Sequence, residues 1–273
     1  MTSAPPNVSP RLGADEANAG RAMSGAAATE RRTALRRVGH KGADLIEPGN
    51  TLESFEAAVE AGVDMIELDV LWTPEGHPRL AASERAPLVV AHDWPDARRR
   101  RPLTLEEALD AFTRPPLDRV EIDCDLKLRG RERELVEALR RRGLVERSMV
   151  STMEPVSLQR LRSLEPRLRR GWTYPKVSRD WNSKRWARPL VLGAMISMRR
   201  RLPRLATRAL PDSGVEAMWV YHPLITARLA RATSAAGVEL IAWTVDELPR
   251  MRQLVELGVD GICTNDPRLF ARI

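Results

Sequence analysis

The stretch 51-TLESFEAAVEAGVDMIELDV-70 holds one helix followed by one strand, and its two halves carry different periods. Over 51–62, Leu52, Phe55 and Val59 recur at helical spacing, with Asn50 or Thr51 as N-cap and Gly62 as the C-terminal stop. From Met65 the period becomes two. Ile66, Leu68 and Val70 fall on one face of a strand, and Glu67 and Asp69 on the other. The apolar strand face needs a cover, and an amphipathic helix beside it provides one.

The same unit recurs in both directions along the chain. Strand-like runs occur at 36–40, 65–70, 119–127, 148–152, 168–174, 217–222, 239–245 and 261–265, with helical runs between them. The run 103-LTLEEALDAF-112 opens with a capping box from Thr104 to Glu107 and sets Leu105, Ala108, Leu109 and Phe112 on one stripe. In 246-DELPRMRQLVELG-258, Leu248, Met251, Leu254 and Val255 are the expected inward set and Gly258 the stop. Eight strands alternating with helices predict an α/β fold, the TIM (β/α)8 barrel. A second β-like run, LVVAHD at 88–93, marks a small β excursion after the second strand.

Composition sets the outer bounds. The chain has 273 residues with 44 Lys and Arg against 37 Asp and Glu, a net charge of +7 and a pI near 10.2, which favours an anionic substrate or partner. Two cysteines, Cys124 and Cys263, sit in apolar strand-like runs, so buried thiols are expected rather than a disulfide framework or a zinc site. Residues 1–34 lack apolar periodicity and predict a disordered tail before a single barrel domain at 35–273. With no apolar run of membrane-spanning length, a cytoplasmic protein is expected, with peripheral contact at the inner membrane surface as an option. That option rests on 171–210, where ten Lys or Arg stand against Asp180 alone, interleaved with Trp172, Trp181 and Trp186. A barrel helix with a solvated basic flank explains the same composition. The run 98-RRRR-101 is expected in an exposed loop, not as a nucleic-acid patch.

Alternation also locates candidate chemistry. Glu67 and Asp69 should point into the barrel, where two close like charges require a cation or shared protons; a salt-bridged strand end is the plainer alternative. In 121-EIDCDLKL-128, Glu121, Asp123, Asp125 and Lys127 share one face, with Asp125 and Lys127 nearest the carboxyl end, where barrel enzymes keep their sites. His40 closes the first strand and His92 the excursion, both at that same end, and imidazole is suited to moving protons near neutral pH. His77 lies in a proline-flanked turn without an assigned function, and His222 fits a structural position as well as a place at the mouth.

Taken in order, GHKG, P-x-NT, GVDMIELDV, VVAHD, DLK, AWTVDE and GVDGICTNDP resemble the glycerophosphodiester phosphodiesterase family across residues 36 to 270. The resemblance implies a divalent metal, Ca or Mg, and hydrolysis of glycerophosphodiesters to sn-glycerol 3-phosphate and an alcohol. It implies His40 and His92 as the acid/base pair, and Glu67, Asp69 and Asp125 as metal ligands with Asp123 as fallback. Lys41 and Lys127 would meet phosphate, and Trp243 would wall the pocket or pack in the last strands. The expected partner is a small-molecule or lipid phosphodiester. Lysophospholipase D or sphingomyelinase D-like action, and a non-catalytic lipid- or phosphate-binding barrel, are the alternatives.

The departure from the family pattern is Gly49, where P-E-N-T becomes Pro48-Gly49-Asn50-Thr51. Three outcomes follow: three carboxylates plus water hold the metal, Glu47 reaches in, or the site is degraded. The first is favoured, because the sphingomyelinase D-like branch manages with the E-x-D pair and one further acid.

Overall fold

Ile66, Leu68 and Val70 are fully buried beneath Phe55, while Met65, Glu67 and Asp69 turn to the other side of the same strand. The computed structural model describes residues 34–72, 86–176 and 188–273. Within them the elements run β1 (Arg36–Gly39), α1 (Leu52–Glu60), β2 (Met65–Leu71), β3 (Val89–Val90), α2 (Trp94–Arg99), β4 (Leu103–Thr104), α3 (Leu105–Ala111), β5 (Glu121–Leu126), α4 (Glu132–Arg141) and β6 (Ser148–Thr152). The chain continues through α5 (Pro155–Leu164), β7 (Arg169–Tyr174), α6 (Arg188–Ser213), β8 (Ala217–Tyr221), α7 (Ala227–Ala235), β9 (Glu239–Trp243), α8 (Leu248–Leu257) and β10 (Gly261–Thr264).

Eight strands pair in parallel in the order β1-β10-β9-β8-β7-β6-β5-β2, and pairing of β1 with β2 closes the barrel. The excursion is a pair of two-residue strands: β3 runs antiparallel to the end of β2, with Val90 opposite Val70, and β4 continues antiparallel to β3. This attachment delivers His92 to the carboxyl end of β2. The expected tail, apart from Ala34, lies outside the described residues, as do His77, Asp180, Trp181 and Trp186.

The local chemistry follows the periodic pattern. Thr51 is the N-cap of α1, its hydroxyl accepting from the Ser54 amide at 3.2 Å. The Thr104/Glu107 capping box is complete, and Gly258 ends α8 at φ 85°, a left-handed position where a Cβ is strained. Outward strand residues such as Ile122, Cys124 and Leu126 pack with Leu105, Leu109 and Leu135 of the covering helices. Val38, Met65, Met149, Trp219, Ile241 and Cys263 fill the barrel interior. At its amino end Arg36 pairs with Glu121 and Glu239, and Arg169 joins Glu121 at 2.9 Å. Both cysteines are free and buried.

Three expectations need correction. Val255 is exposed rather than inward, because α8 buries only the narrower stripe of Met251 and Leu254. The third barrel strand, expected from 119, begins at Glu121, since Leu117–Arg119 form a turn of 3-10 helix, and the strand at 217 stops at Tyr221 because His222–Leu224 form another. Arg98 and Arg99 belong to α2, not to a loop, and Arg100 is engaged in specific contacts given below.

Candidate active site

Strand register brings the carboxylates together. Glu67 lies opposite Asp123 and Asp69 opposite Asp125, so alternation on two adjacent parallel strands stacks four acids on the inner surface. Oxygens of Glu67, Asp69 and Asp125 lie within 4.8 Å of one another, and all three side chains are buried. Asp123 sits one step deeper, accepting from the Ser151 hydroxyl at 2.7 Å.

One ammonium faces this cluster among the described residues. Lys127 reaches back to touch both Asp69 and Asp125. Burial alone would lower the Lys127 pKa, but Asp125, Asp69 and Glu67 raise it well above its ordinary value. Burial works against charge on Asp69 too, yet the Lys127 ammonium outweighs it and holds that carboxyl below the usual range. Glu67 goes the other way: burial, then the charge of Asp69, pushes it well above normal, and burial likewise raises Asp123 and Asp125. Asp123 Oδ1 accepts no hydrogen bond, and Asp69 Oδ1 meets only the Lys127 ammonium. Buried hard oxygens gathered in this way fit a metal cation.

Asn50 locks the central acid in place. It is fully buried at φ 62°, its side-chain Nδ2 donates to Asp69 Oδ2 at 2.7 Å, and its side-chain Oδ1 accepts the Asp69 N–H at 3.1 Å. Sequence reasoning weighed Asn50 only as a helix cap; the left-handed backbone and the inward amide depend on a contact 19 residues away.

His40 is held from behind by a relay. Its Nδ1 lies 2.6 Å from Asn265 Oδ1, while Asn265 Nδ2 donates to Asp246 Oδ2 at 2.8 Å. A carboxylate only accepts, so the amide nitrogen must face Asp246 and the amide oxygen must face His40. That orientation puts the proton on Nδ1 and leaves Nε2 as an acceptor, 4.0 Å from Glu67 Oε2. Burial lowers the His40 pKa and so disfavours the charged ring. Asn265 and Asp246 were not singled out from sequence; the TVDE and CTND stretches were the available signal.

His92 is exposed by 54 % at the rim. Its backbone N–H donates to Asp96 Oδ2 at 3.3 Å, and Asp96 is gripped by Arg100 at 3.0 and 2.9 Å. Arg100 also donates to the Asn50 carbonyl at 3.2 Å, tying the His92 segment to the loop that carries Asn50. His40, Glu67, His92, Asp125 and Lys127 line one cavity of about 580 Å³, walled by Leu71, Trp94, Met153, Trp219 and Trp243. Trp243 Nε1 and Thr173 Oγ1 are buried there with no hydrogen-bond partner among the described residues. His222 is placed elsewhere: it accepts from Arg250 Nε at 3.1 Å, a structural contact.

The loop after β1 explains Gly49. Its N–H donates to Asp44 Oδ1 at 2.7 Å, and a Cβ on Gly49 would lie 2.4 Å from that same oxygen and 2.8 Å from Lys41 Cβ. Asp44 also takes the Lys41 ammonium at 2.5 Å, so that charge points to Asp44, while the Lys41 amide donates to Glu67 Oε2 at 2.9 Å. Glu47 is exposed and stands outside the acid cluster, so the reach-in alternative fails.

Comparison with known proteins converges on one group. The profile of the glycerophosphoryl diester phosphodiesterase family matches residues 40–107 and 104–269. The chain is 28% identical over 272 residues to a glycerophosphodiester phosphodiesterase of Caldanaerobacter subterraneus subsp. tengcongensis, covering 86% of this chain and 96% of that one. Among solved structures, a glycerophosphodiester phosphodiesterase from Agrobacterium tumefaciens superposes with TM-score 0.60 at 20% identity, covering 88% of this chain and 100% of that one. A phosphodiesterase from Oleispira antarctica, solved with the product sn-glycerol-3-phosphate, gives TM-score 0.60 at 17% identity over 87% of this chain and 95% of that one.

Proposed function

The chain belongs to the glycerophosphoryl diester phosphodiesterase family, and we propose that it hydrolyses glycerophosphodiesters to sn-glycerol 3-phosphate and an alcohol with a divalent cation, Ca or Mg, as cofactor. The observation that carries this reading is the buried Glu67, Asp69 and Asp125 triad, within 4.8 Å, beside His40, whose Nε2 lies 4.0 Å from Glu67 Oε2. Those three carboxylates would hold the cation. When bound, it supplies positive charge to the non-bridging phosphate oxygens and polarises phosphorus.

The chain's own residues do the rest. His40 Nε2, unprotonated and oriented by Asn265, takes the proton from the attacking hydroxyl. The new P–O bond forms as the bond to the leaving alcohol breaks, and His92, at the rim, protonates the departing oxygen. Attack by water gives sn-glycerol 3-phosphate directly; attack by the neighbouring glycerol hydroxyl closes a cyclic phosphate that water then opens. Lys127 adds charge stabilisation from the cavity floor, and Trp243 forms the wall against the alcohol. A cavity of about 580 Å³ suits a small headgroup diester. Free, buried thiols are in keeping with a cytoplasmic setting.

The test is a phosphodiesterase panel, with and without EDTA and with Ca or Mg restored, comparing the full chain with His40→Ala. Loss of turnover under both chelation and substitution supports the assignment. Turnover unaffected by either removes it. Inactivity on every glycerophosphodiester, with long-chain phosphodiesters cleaved, would favour lysophospholipase D or sphingomyelinase D-like action.

A further inference from the structure

Helix α6 is longer than the barrel needs. Its 26 residues span about 39 Å at 1.5 Å per residue, whereas barrel strands of 4 to 7 residues span roughly 13 to 23 Å. Because α6 follows β7, its surplus turns extend from the carboxyl end of the barrel, where the cavity opens. None of residues 190 to 201 is buried, and the first buried side chain is Leu202. Among those turns Leu190, Leu192 and Ile196 are exposed by 70%, 62% and 45%, while Met195 and Met198 lean on the core.

Immediately below, the helix changes chemistry. Arg199, Arg200 and Arg204 line a groove of about 570 Å³ with Ile196, Pro203 and Arg228 of α7. None of these four arginines has an acidic ion-pair partner among the described residues. Exposed apolar turns followed by unneutralised cations on one helix match an interfacial element, in which side chains enter the acyl boundary while arginines meet lipid phosphates. A nucleic acid would use the cations and leave the leucines without a function. Leu45, in the loop after β1, and Trp94, the first residue of α2, are exposed by 59% and 39% at the same end of the barrel.

We propose that residues 190–204 of α6, with Arg228 of α7, dock this protein on an anionic lipid bilayer, the cavity mouth turned toward the headgroups. The inference rests on α6 and not on the hydrolytic activity. It is tested by co-sedimentation of the full chain with phosphatidylglycerol/phosphatidylcholine vesicles and with pure phosphatidylcholine vesicles. Binding is expected only to the anionic vesicles and to fall as salt rises. Leu192→Asp with Ile196→Asp, and Arg200→Glu with Arg204→Glu, should each lower it at least about tenfold while leaving turnover of a soluble diester unchanged. Should the aspartate pair unfold the chain, Arg200→Ala with Arg204→Ala carries the same expectation. Failure to bind anionic vesicles, binding undiminished in the arginine variants, or retention by nucleic acid or a protein with vesicles unbound would each overturn it.

Discussion

Replacing Gly49 by glutamate, the residue expected from the P-E-N-T pattern, should destabilise this protein, and the cost can be worked from its neighbours. The added Cβ would stand 2.4 Å from Asp44 Oδ1 and 2.8 Å from Lys41 Cβ. Asp44 can swing away, but it then loses the Gly49 N–H at 2.7 Å, about 1 kcal/mol. Its pairing with Lys41 is partly exposed and contributes less than about 1 kcal/mol. Lys41 has less freedom, being held at φ 53° with its amide on Glu67, so overpacking there adds roughly 1 to 3 kcal/mol. The total is about 2 to 5 kcal/mol. Asp44→Ala alone should cost about 1 kcal/mol, and in its background Gly49→Glu should become milder, giving a coupling of about 1 to 2 kcal/mol in a double-mutant cycle. The assay is urea unfolding of the four proteins without added metal, read as the midpoint at constant slope. A Gly49→Glu protein within about 0.5 kcal/mol of the parent, or strict additivity with Asp44→Ala, would refute the packing account and return Gly49 to being a simply missing ligand.

Asn50→Ala removes a charge-assisted bond and a backbone bond to buried Asp69 and puts alanine at φ 62°, so a loss of about 3 to 5 kcal/mol is expected by urea unfolding. Asn50→Gly should recover about 1 kcal/mol of that, the backbone share alone. Asn265→Asp sets a carboxylate against His40 Nδ1, favours the imidazolium, and should move the acidic limb of the kcat/KM profile to higher pH, whereas a merely structural residue would leave the profile in place. His222 is lowered to about 4 by burial and then by Arg250. Between that value and the ordinary His range near 6.5, the unfolded chain binds the proton and the folded one does not. Stability should therefore fall as pH drops through this window, by about 1 to 2 kcal/mol after allowing for partial exposure, and His222→Gln should flatten the fall.

Much of the barrel was legible because strand and helix periods differ and because alternation assigns each side chain to an inner or outer face. Glu67, Asp69 and Asp125 were found this way, and register on β2 and β5 is what brings them together. Val255 misled because helical spacing marks a stripe without fixing its width. The residues missed share one property: their function lies in contacts distant along the chain. His40 meets Asn265 across 225 positions, and no local pattern announces such a pair. The lysines divide along the same line: alternation put Lys127 on the face of the acids, whereas nothing local announced that Lys41 would turn to Asp44. Gly49 read as a lost ligand from the motif alone; in the fold it is also the residue that leaves room for Asp44.

The central claim is that the buried acids hold a cation required for phosphodiester hydrolysis. It is tested most directly by chelating the protein, restoring Ca or Mg stepwise, and following release of sn-glycerol 3-phosphate from a glycerophosphodiester, alongside Asp69→Asn. Release that returns with the cation in the parent, and stays at least about 100-fold lower in Asp69→Asn, is the predicted result. Equal release from chelated and metal-restored protein, unchanged by Asp69→Asn, would contradict it.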